Sequence, residues 1–370
     1  MNFKFFPVFI LLISALSLSV IAENTGNKIG EIALYKKSVH LLYDVDFVTY
    51  FDNREYSAPQ IDQTIFGTRL SPEIGIGITD KAGGAHKVIL GVNAMQRIGA
   101  PLRESNWELF AYYQFKRNGF RVGLGSIPFT MMIEKLPDYL EYDSLVYARP
   151  NIQGGLMQYE SKHGFVEFVC DWRGAESEER REAFRLIVNG RYKRNLFFAG
   201  SYLAMNHLAG YAGNRVGVSE QVSAIPYVGL DLGKALRLDS FTLKAGYYVS
   251  YDKIRKLDML EITQGAELDF FVRWRFLALR NTTHIGNNLL PHYWHNGKEL
   301  YQSEPFYQCR FYNRTDMVVF LYNTSFVNCY FSYNLHVTEG AKLGHQQQLI
   351  ARFNLAGFNQ KNKLKGILGK

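Results

Sequence analysis

The chain has 370 residues, a formal charge of +8 and 21% charged residues. Basic residues sit beside acidic ones, as in EERRE (178–182), so no basic block marks a nucleic-acid footprint and no nucleic-acid partner is expected. The three cysteines, Cys170, Cys309 and Cys329, are odd in number and match no metal-ligand spacing; they read as small hydrophobes on the apolar sides of strands, without disulfides.

The N-terminus reads MNFKFFPVFILLISALSLSVIAEN. Lys4 supplies a positive start, Phe5 to Leu18 an apolar core, and Val20-Ile21-Ala22 a small-residue cleavage site. This predicts a signal peptide over 1–22, cleaved after Ala22, then a short periplasmic segment over 23–39. No later apolar run approaches the 18 or so residues of a transmembrane helix. Abundant Tyr (24), Phe (27) and Gly (32) instead suit a barrel with aromatic girdles and tight turns.

From residue 41 the sequence alternates. LLYDVDFVTYF (41–51), SPEIGIGIT (71–79), KVILGVNAM (87–95), NWELFAYYQFK (106–116) and FRVGLGS (120–126) each place apolar side chains on one face of a strand. GLMQYE (155–160), FVEFVCDW (165–172), AFRLIVNG (183–190), LFFAGSYLAM (196–205) and IPYVGLDL (225–232) continue the pattern. FTLKAGYYVSY (241–251), AELDFFVRWRF (266–276), FLALRNTTHI (276–285), FYQCRFYNRTDMVV (306–319), VNCYFSYNLHV (327–337) and HQQQLIARFNL (345–355) complete about sixteen strands.

The connections alternate too. Short ones, such as KRNG and SKHG, follow even-numbered strands. Those after odd-numbered strands are mostly longer, including 52–67, 131–151, 173–182, 206–221 and 286–305. In AELDFFVRWRF one face carries Ala266, Leu268, Phe270, Val272, Trp274 and Phe276, and the other Glu267, Asp269, Arg273 and Arg275. No helix or second domain remains to cover such apolar faces along the whole chain, but lipid can. The expected fold is therefore all-β: a transmembrane antiparallel β-barrel over 40–355, with short periplasmic turns, longer extracellular loops and a basic tail over 356–370.

LPDYLEYDSLVYARPNIQG (136–154) and YNLHVTEGAKLGHQQQ (333–348) carry a narrower likeness. The chain resembles the porin-like outer-membrane β-barrels of Gram-negative bacteria, and more narrowly a group of uncharacterised Bacteroidota barrels. The resemblance implies an outer-membrane location, contact with outer-membrane lipid and with the barrel-assembly machinery, and a homotrimer as the assembly common to such porins. It implies passive diffusion of small polar solutes or ions and no cofactor; no enzymatic activity is expected, because the chain shows no converging nucleophile and base. It also implies that the long loop 131–151 folds inward as a constriction, with Glu134, Asp138, Glu141, Asp143 and Arg149 as its charged residues.

Alternation assigns the lumen charges. Acidic candidates are Asp44, Asp46, Glu73, Glu108, Glu160, Glu167, Asp171, Glu267 and Asp269. Basic candidates are Arg121, Arg185, Lys244, Arg273, Arg280, Arg310, Arg314 and Arg352. Such groups either set ion preference or pair across strands to hold the wall. Two other readings stand beside the channel. One is a surface barrel acting as a receptor or adhesin, since long loops carry many functions. The other is an outer-membrane lipid-modifying enzyme, for which His284, His292, His295 and Ser303 are the residues considered. No nucleophile-elbow pattern accompanies them, and His292 and His295 form no metal motif. No metal site is expected.

Overall fold

The structure, a computed structural model, describes residues 39–56, 62–178, 180–210 and 217–355. The expected signal peptide, nearly all of the expected 23–39 segment and the 356–370 tail lie outside the described residues.

Among the described residues, sixteen strands form one closed antiparallel barrel in chain order, β1 pairing with β16. The first eight are β1 (Val39–Glu55), β2 (Gln63–Thr79), β3 (Ala85–Arg97), β4 (Asn106–Arg117), β5 (Phe120–Pro128), β6 (Asn151–Ser161), β7 (Gly164–Gly174) and β8 (Ala183–Arg194). The second eight are β9 (Phe197–Leu208), β10 (Ser219–Asp231), β11 (Ser240–Ile254), β12 (Met259–Trp274), β13 (Leu277–Gly286), β14 (Phe311–Asn323), β15 (Val327–Thr338) and β16 (Lys342–Asn354).

The two faces invert the pattern of a soluble protein. Leu41, Val88, Leu109 and Leu268 are all more than half exposed, whereas Asp52, Asn189 and Asn334 are fully buried inside. An apolar outer wall around a polar interior is what a barrel needs to stand in lipid with every backbone group paired. Short turns close one end. Asn118 (φ 48°) and Gly119 (φ 81°) join β4 to β5, both in the left-handed region that two-residue hairpins favour.

Several strands run past the length needed to cross a bilayer. β1 and β2 each have 17 residues, and their hairpin consumes most of the expected 52–67 loop. Asp52 and Arg54 belong to β1 and face inward, where Arg54 Nη2 pairs with Asp52 at 2.7 Å. The expected 206–221 loop shortens likewise, because β9 continues to Leu208 and β10 starts at Ser219. Cys170 and Cys329 occupy outward positions of β7 and β15, but Cys309 lies outside any strand, just after a 3-10 turn; all three are free thiols.

Two long connections turn inward instead of standing above the barrel. Residues 129–150, between β5 and β6, include the short helix α1 (Leu145–Ala148). Residues 287–310, between β13 and β14, include α2 (Tyr293–Leu300). Both leave from the end with the longer loops.

Candidate functional site

The inserted segments meet inside the barrel. Tyr142 N donates to Gln302 O (2.8 Å), Glu304 N to Asp138 O (2.9 Å), and Asp143 N to the Glu304 carboxylate (3.1 Å). Around them lies an apolar core of Leu136, Tyr139, Leu140, Leu289, Leu300 and Tyr307 packed on inward side chains of β7 to β11 and β14. Tyr139 makes edge contacts with Tyr202, Tyr248 and Tyr307, at ring-centroid distances of 6.4, 5.9 and 6.0 Å. Burying this much aromatic surface fills the lumen beside the loops with protein.

Charge fixes the 129–150 segment to the wall. Arg314 on β14 reaches Asp138 (3.2 Å), Asp143 (2.7 Å) and Asp316 (2.7 Å). Arg185 on β8 reaches Glu141 (3.1 Å) and Asp171 (3.7 Å), and Arg191 pairs with Glu134. Arg149 donates to the Arg173 carbonyl (3.2 Å). Burial opposes ionisation of Asp143, but Arg314 and Lys135 overcome it and hold its carboxyl below the ordinary range. Burial pushes the Glu141 and Glu304 carboxyls up, against the pull of Arg185 and Arg54 respectively.

The remaining lumen candidates are mostly paired. Asp46 holds Arg352 (2.5 Å) and Arg69 (3.2 Å), Asp269 holds Arg280 (2.8 Å), and Lys244 lies 3.8 Å from Glu267. Glu167 accepts from Ile133 N (3.0 Å), Gln158 (2.8 Å) and Asn189 (2.9 Å), and Arg121 donates to Gln158 (3.0 Å). Glu73 accepts from Tyr112 (3.1 Å), Glu108 from Gln153 (3.1 Å) and Asp44 from Asn354 (3.2 Å). The Arg273 guanidinium stacks over Phe320, 4.1 Å from the ring centroid. Glu160 is exposed at the short-turn end of β6. Arg310 requires a correction: it precedes β14, is exposed, and bonds Glu339 through its backbone, so it belongs to the outer rim.

Cavities of about 240 and 550 Å³ remain beside the inserted 129–150 segment. They share Ile133, Glu134, Lys135, Leu136 and Arg280, so they lie on two sides of the loop tip. The larger extends to Lys162, His163 and Gly233 at the short-turn end. His284 points inward, its Nε2 3.3 Å from the Asn287 carbonyl, while His292 and Ser303 are buried within the inserted 287–310 segment. No side-chain hydrogen bond joins these three among the described residues.

A different constellation sits on the outer wall near the long-loop end. Tyr333 Oη lies 2.6 Å from His345 Nδ1. Gln347 is on the same strand face as His345, and its Oε1 accepts from Asn53 Nδ2 (2.7 Å). Asn53 Nδ2 also bonds Glu55 (3.0 Å), and Thr64 donates to Asn53 Oδ1 (2.8 Å). Register pairs Glu55 with His345 and Asn53 with Gln347. These are polar groups at positions where the strand pattern calls for apolar ones, directly outside the apolar Phe331 and Leu349. That break in alternation was the available sequence signal, and a reading for charge in the lumen passes over it. Farther along the wall, Asn281, Thr283, Asn313 and Thr315 bond one another across β13 and β14 at 2.7–3.3 Å. Among the described residues no group of three or more His, Cys, Asp or Glu is arranged to hold a metal ion.

Comparison with solved structures returns porin barrels. A substituted form of the Rh. blastica porin superposes with a TM-score of 0.50 at 10% identity, covering 85% of this chain and 100% of that one. Pseudomonas aeruginosa OccK9 gives 0.45 at 11% identity, covering 85% and 98%. These likenesses concern the fold. No curated protein matches the chain. The sequence profile of the lipid A 3'-O-deacylase-type family matches residues 34–365. The expectation of a barrel without enzymatic activity is corrected by this match, which points to an enzyme family; sequence patterning had shown the barrel but not the outward polar cluster. The chain belongs to the lipid A 3'-O-deacylase-type family.

Proposed function

We propose that the protein is an outer-membrane hydrolase that removes an ester-linked acyl chain from a lipid A-type glycolipid, working from its lipid-facing wall. The observation that carries this reading is the cluster of His345, Tyr333, Gln347, Asn53 and Glu55 on the outer face of β15, β16 and β1. Family membership supports the reaction class, and the porin-like fold supports the outer-membrane location. The acyl esters of a membrane lipid lie at the boundary between headgroup and hydrocarbon. A site acting on them belongs where the apolar belt gives way to polar side chains, which is where this cluster sits. The two inserted segments make the lumen a poor route for such a substrate.

The geometry suits general-base hydrolysis. In the tautomer whose Nδ1–H donates to Tyr333 Oη, His345 presents the Nε2 lone pair outward. Nε2 takes a proton from water as that water attacks the ester carbonyl. Gln347 has its oxygen engaged by Asn53, which leaves its Nε2 hydrogens to receive the developing oxyanion. Glu55, on the neighbouring strand, stabilises the imidazolium. The imidazolium then returns the proton to the departing sugar alkoxide, giving a fatty acid and a free hydroxyl.

Passive diffusion of small polar solutes, the expectation from sequence, draws support from the porin-like fold, while the packing of the inserted loops weighs against it. Deacylation is tested by mass spectrometry of lipid A from membranes containing the wild-type protein or His345→Ala. Loss of one acyl chain with the wild type alone is the expected result; identical lipid from both contradicts it.

A further inference from the structure

The lipid-facing wall holds a hollow of about 820 Å³ across β8 to β13, with Tyr192 and Arg194 at its β8 edge. Its floor is small at Ala199 and Ala245, between Phe197 and Leu230 on one side and Leu268 and Phe270 on the other. A barrel wall standing in fluid lipid has no packing need for such a recess, since lipid tails adapt to any apolar surface.

The register ties this hollow to the rim cluster. One hydrogen-bonding row runs Phe197, Leu230, Leu243, Phe270, Asn281, Thr315, Leu335, His345 and Glu55, every neighbour a direct cross-strand pair. The row starts at the first residue of β9, at the short-turn end, and finishes at the last residue of β1, at the long-loop end. Barrel strands tilt, so such a row crosses the membrane diagonally. From His345 on β16 to Asn281 on β13 there are three strand spacings of about 4.8 Å, or about 14 Å along the wall. A chain whose ester lies at His345 therefore descends along the row and meets the hollow with its far end. The only polar residues on the way, Asn281 and Thr315, have their donors engaged within the four-residue ladder, so a hydrocarbon passing over them strands no donor.

We propose that the hollow receives the methyl end of the substrate's acyl chain and so acts as a chain-length gauge for the site at His345. This rests on the deacylase reading. Ala199 and Ala245 set the depth, and a larger side chain at either position shortens the chain that fits.

The test uses the full-length protein in liposomes containing a lipid A analogue with a photoactivatable diazirine near the methyl end of its ester-linked chain. Mass spectrometry then locates the labelled peptides, in the wild type, in His345→Ala and in Ala245→Trp, with Ala199→Trp as a second filling variant. Both alanines face lipid, and heat-modifiable gel migration confirms that each variant barrel is folded. The expected result is several-fold enrichment of label in peptides of β9 to β12 over those of β2 to β4, retained in His345→Ala and lost in the tryptophan variants. Label spread evenly around the wall, as from ordinary annular lipid, overturns the proposal. So does absence of label from the hollow with cross-links between copies of the chain, which would mark it as a subunit contact. The labelling needs no hydrolysis, so a wild type that releases no fatty acid yet labels the hollow contradicts the deacylase reading and leaves this binding site standing.

Discussion

Arg314 Nη2 lies 2.7 Å from the Asp143 carboxylate, tying β14 to a loop 171 residues earlier in the chain. The same guanidinium also holds Asp138 and Asp316, with Lys135 as a second, longer-range cation beside Asp143 (3.5 Å) and Asp138 (3.9 Å). Removing one partner of a buried pair leaves uncompensated charge and costs about 3–5 kcal/mol. Arg314→Ala is expected to release the 129–150 segment. Limited proteolysis of the folded variant should cut within 131–151, where the wild type resists.

Acid reaches the same attachment. The Asp143 carboxyl is held below its ordinary value, so its contribution to stability is complete above the unfolded carboxylate value of about 3.9 and is lost as the pH falls through the lower folded value. The loop is therefore expected to stay protected at pH 5 to 8 and to open only in stronger acid. Hydrogen exchange of the 131–151 amides across that range checks it; opening already near pH 6 would contradict the assignment.

Gly67 provides a second attachment. A methyl there would overlap the Tyr147 hydroxyl, and Tyr147 stacks on Tyr50 with centroids 4.8 Å apart. Gly67→Ala is expected to displace Tyr147 and destabilise the barrel by roughly 1–3 kcal/mol, as overpacking does. A urea-unfolding midpoint that does not move would show that Tyr147 swings away freely.

The barrel was legible because the lipid-facing alternation is a local property. All sixteen strands were located, but the alternation of short and long connections holds only in part: eight residues (232–239) join β10 to β11, whereas four (255–258) join β11 to β12 and three (339–341) join β15 to β16. Strand ends were less legible. The polar run around Asp52 to Glu55 reads as loop, yet it pairs with β2 and β16 and extends the wall beyond the apolar band. Loop 131–151 was read as the inserted one, whereas the 287–310 segment, with Glu304 at the centre of the charge network, was taken for an external loop. Its insertion depends on contacts with Asp138 and Asp143, far away in sequence. The outward cluster was hidden for another reason: its members come from β1, β2, β15 and β16, and only barrel closure brings Asn53 beside Gln347.

Within that cluster Tyr333 acts through His345 and is a positioning residue. Tyr333→Phe keeps the ring and removes the bond to Nδ1. It is expected to lower kcat with KM little changed. A purely structural role would lower the folded fraction instead and leave the rate per folded barrel alone.

The most direct measurement is release of fatty acid from purified lipid A by the refolded protein, comparing wild type with His345→Ala. General-base catalysis contributes roughly 10²–10⁴ in rate. The account predicts ester cleavage by the wild type and a loss of that size in the variant, with both barrels equally folded. A wild type that cleaves no ester, or a variant that cleaves at the same rate, would contradict it.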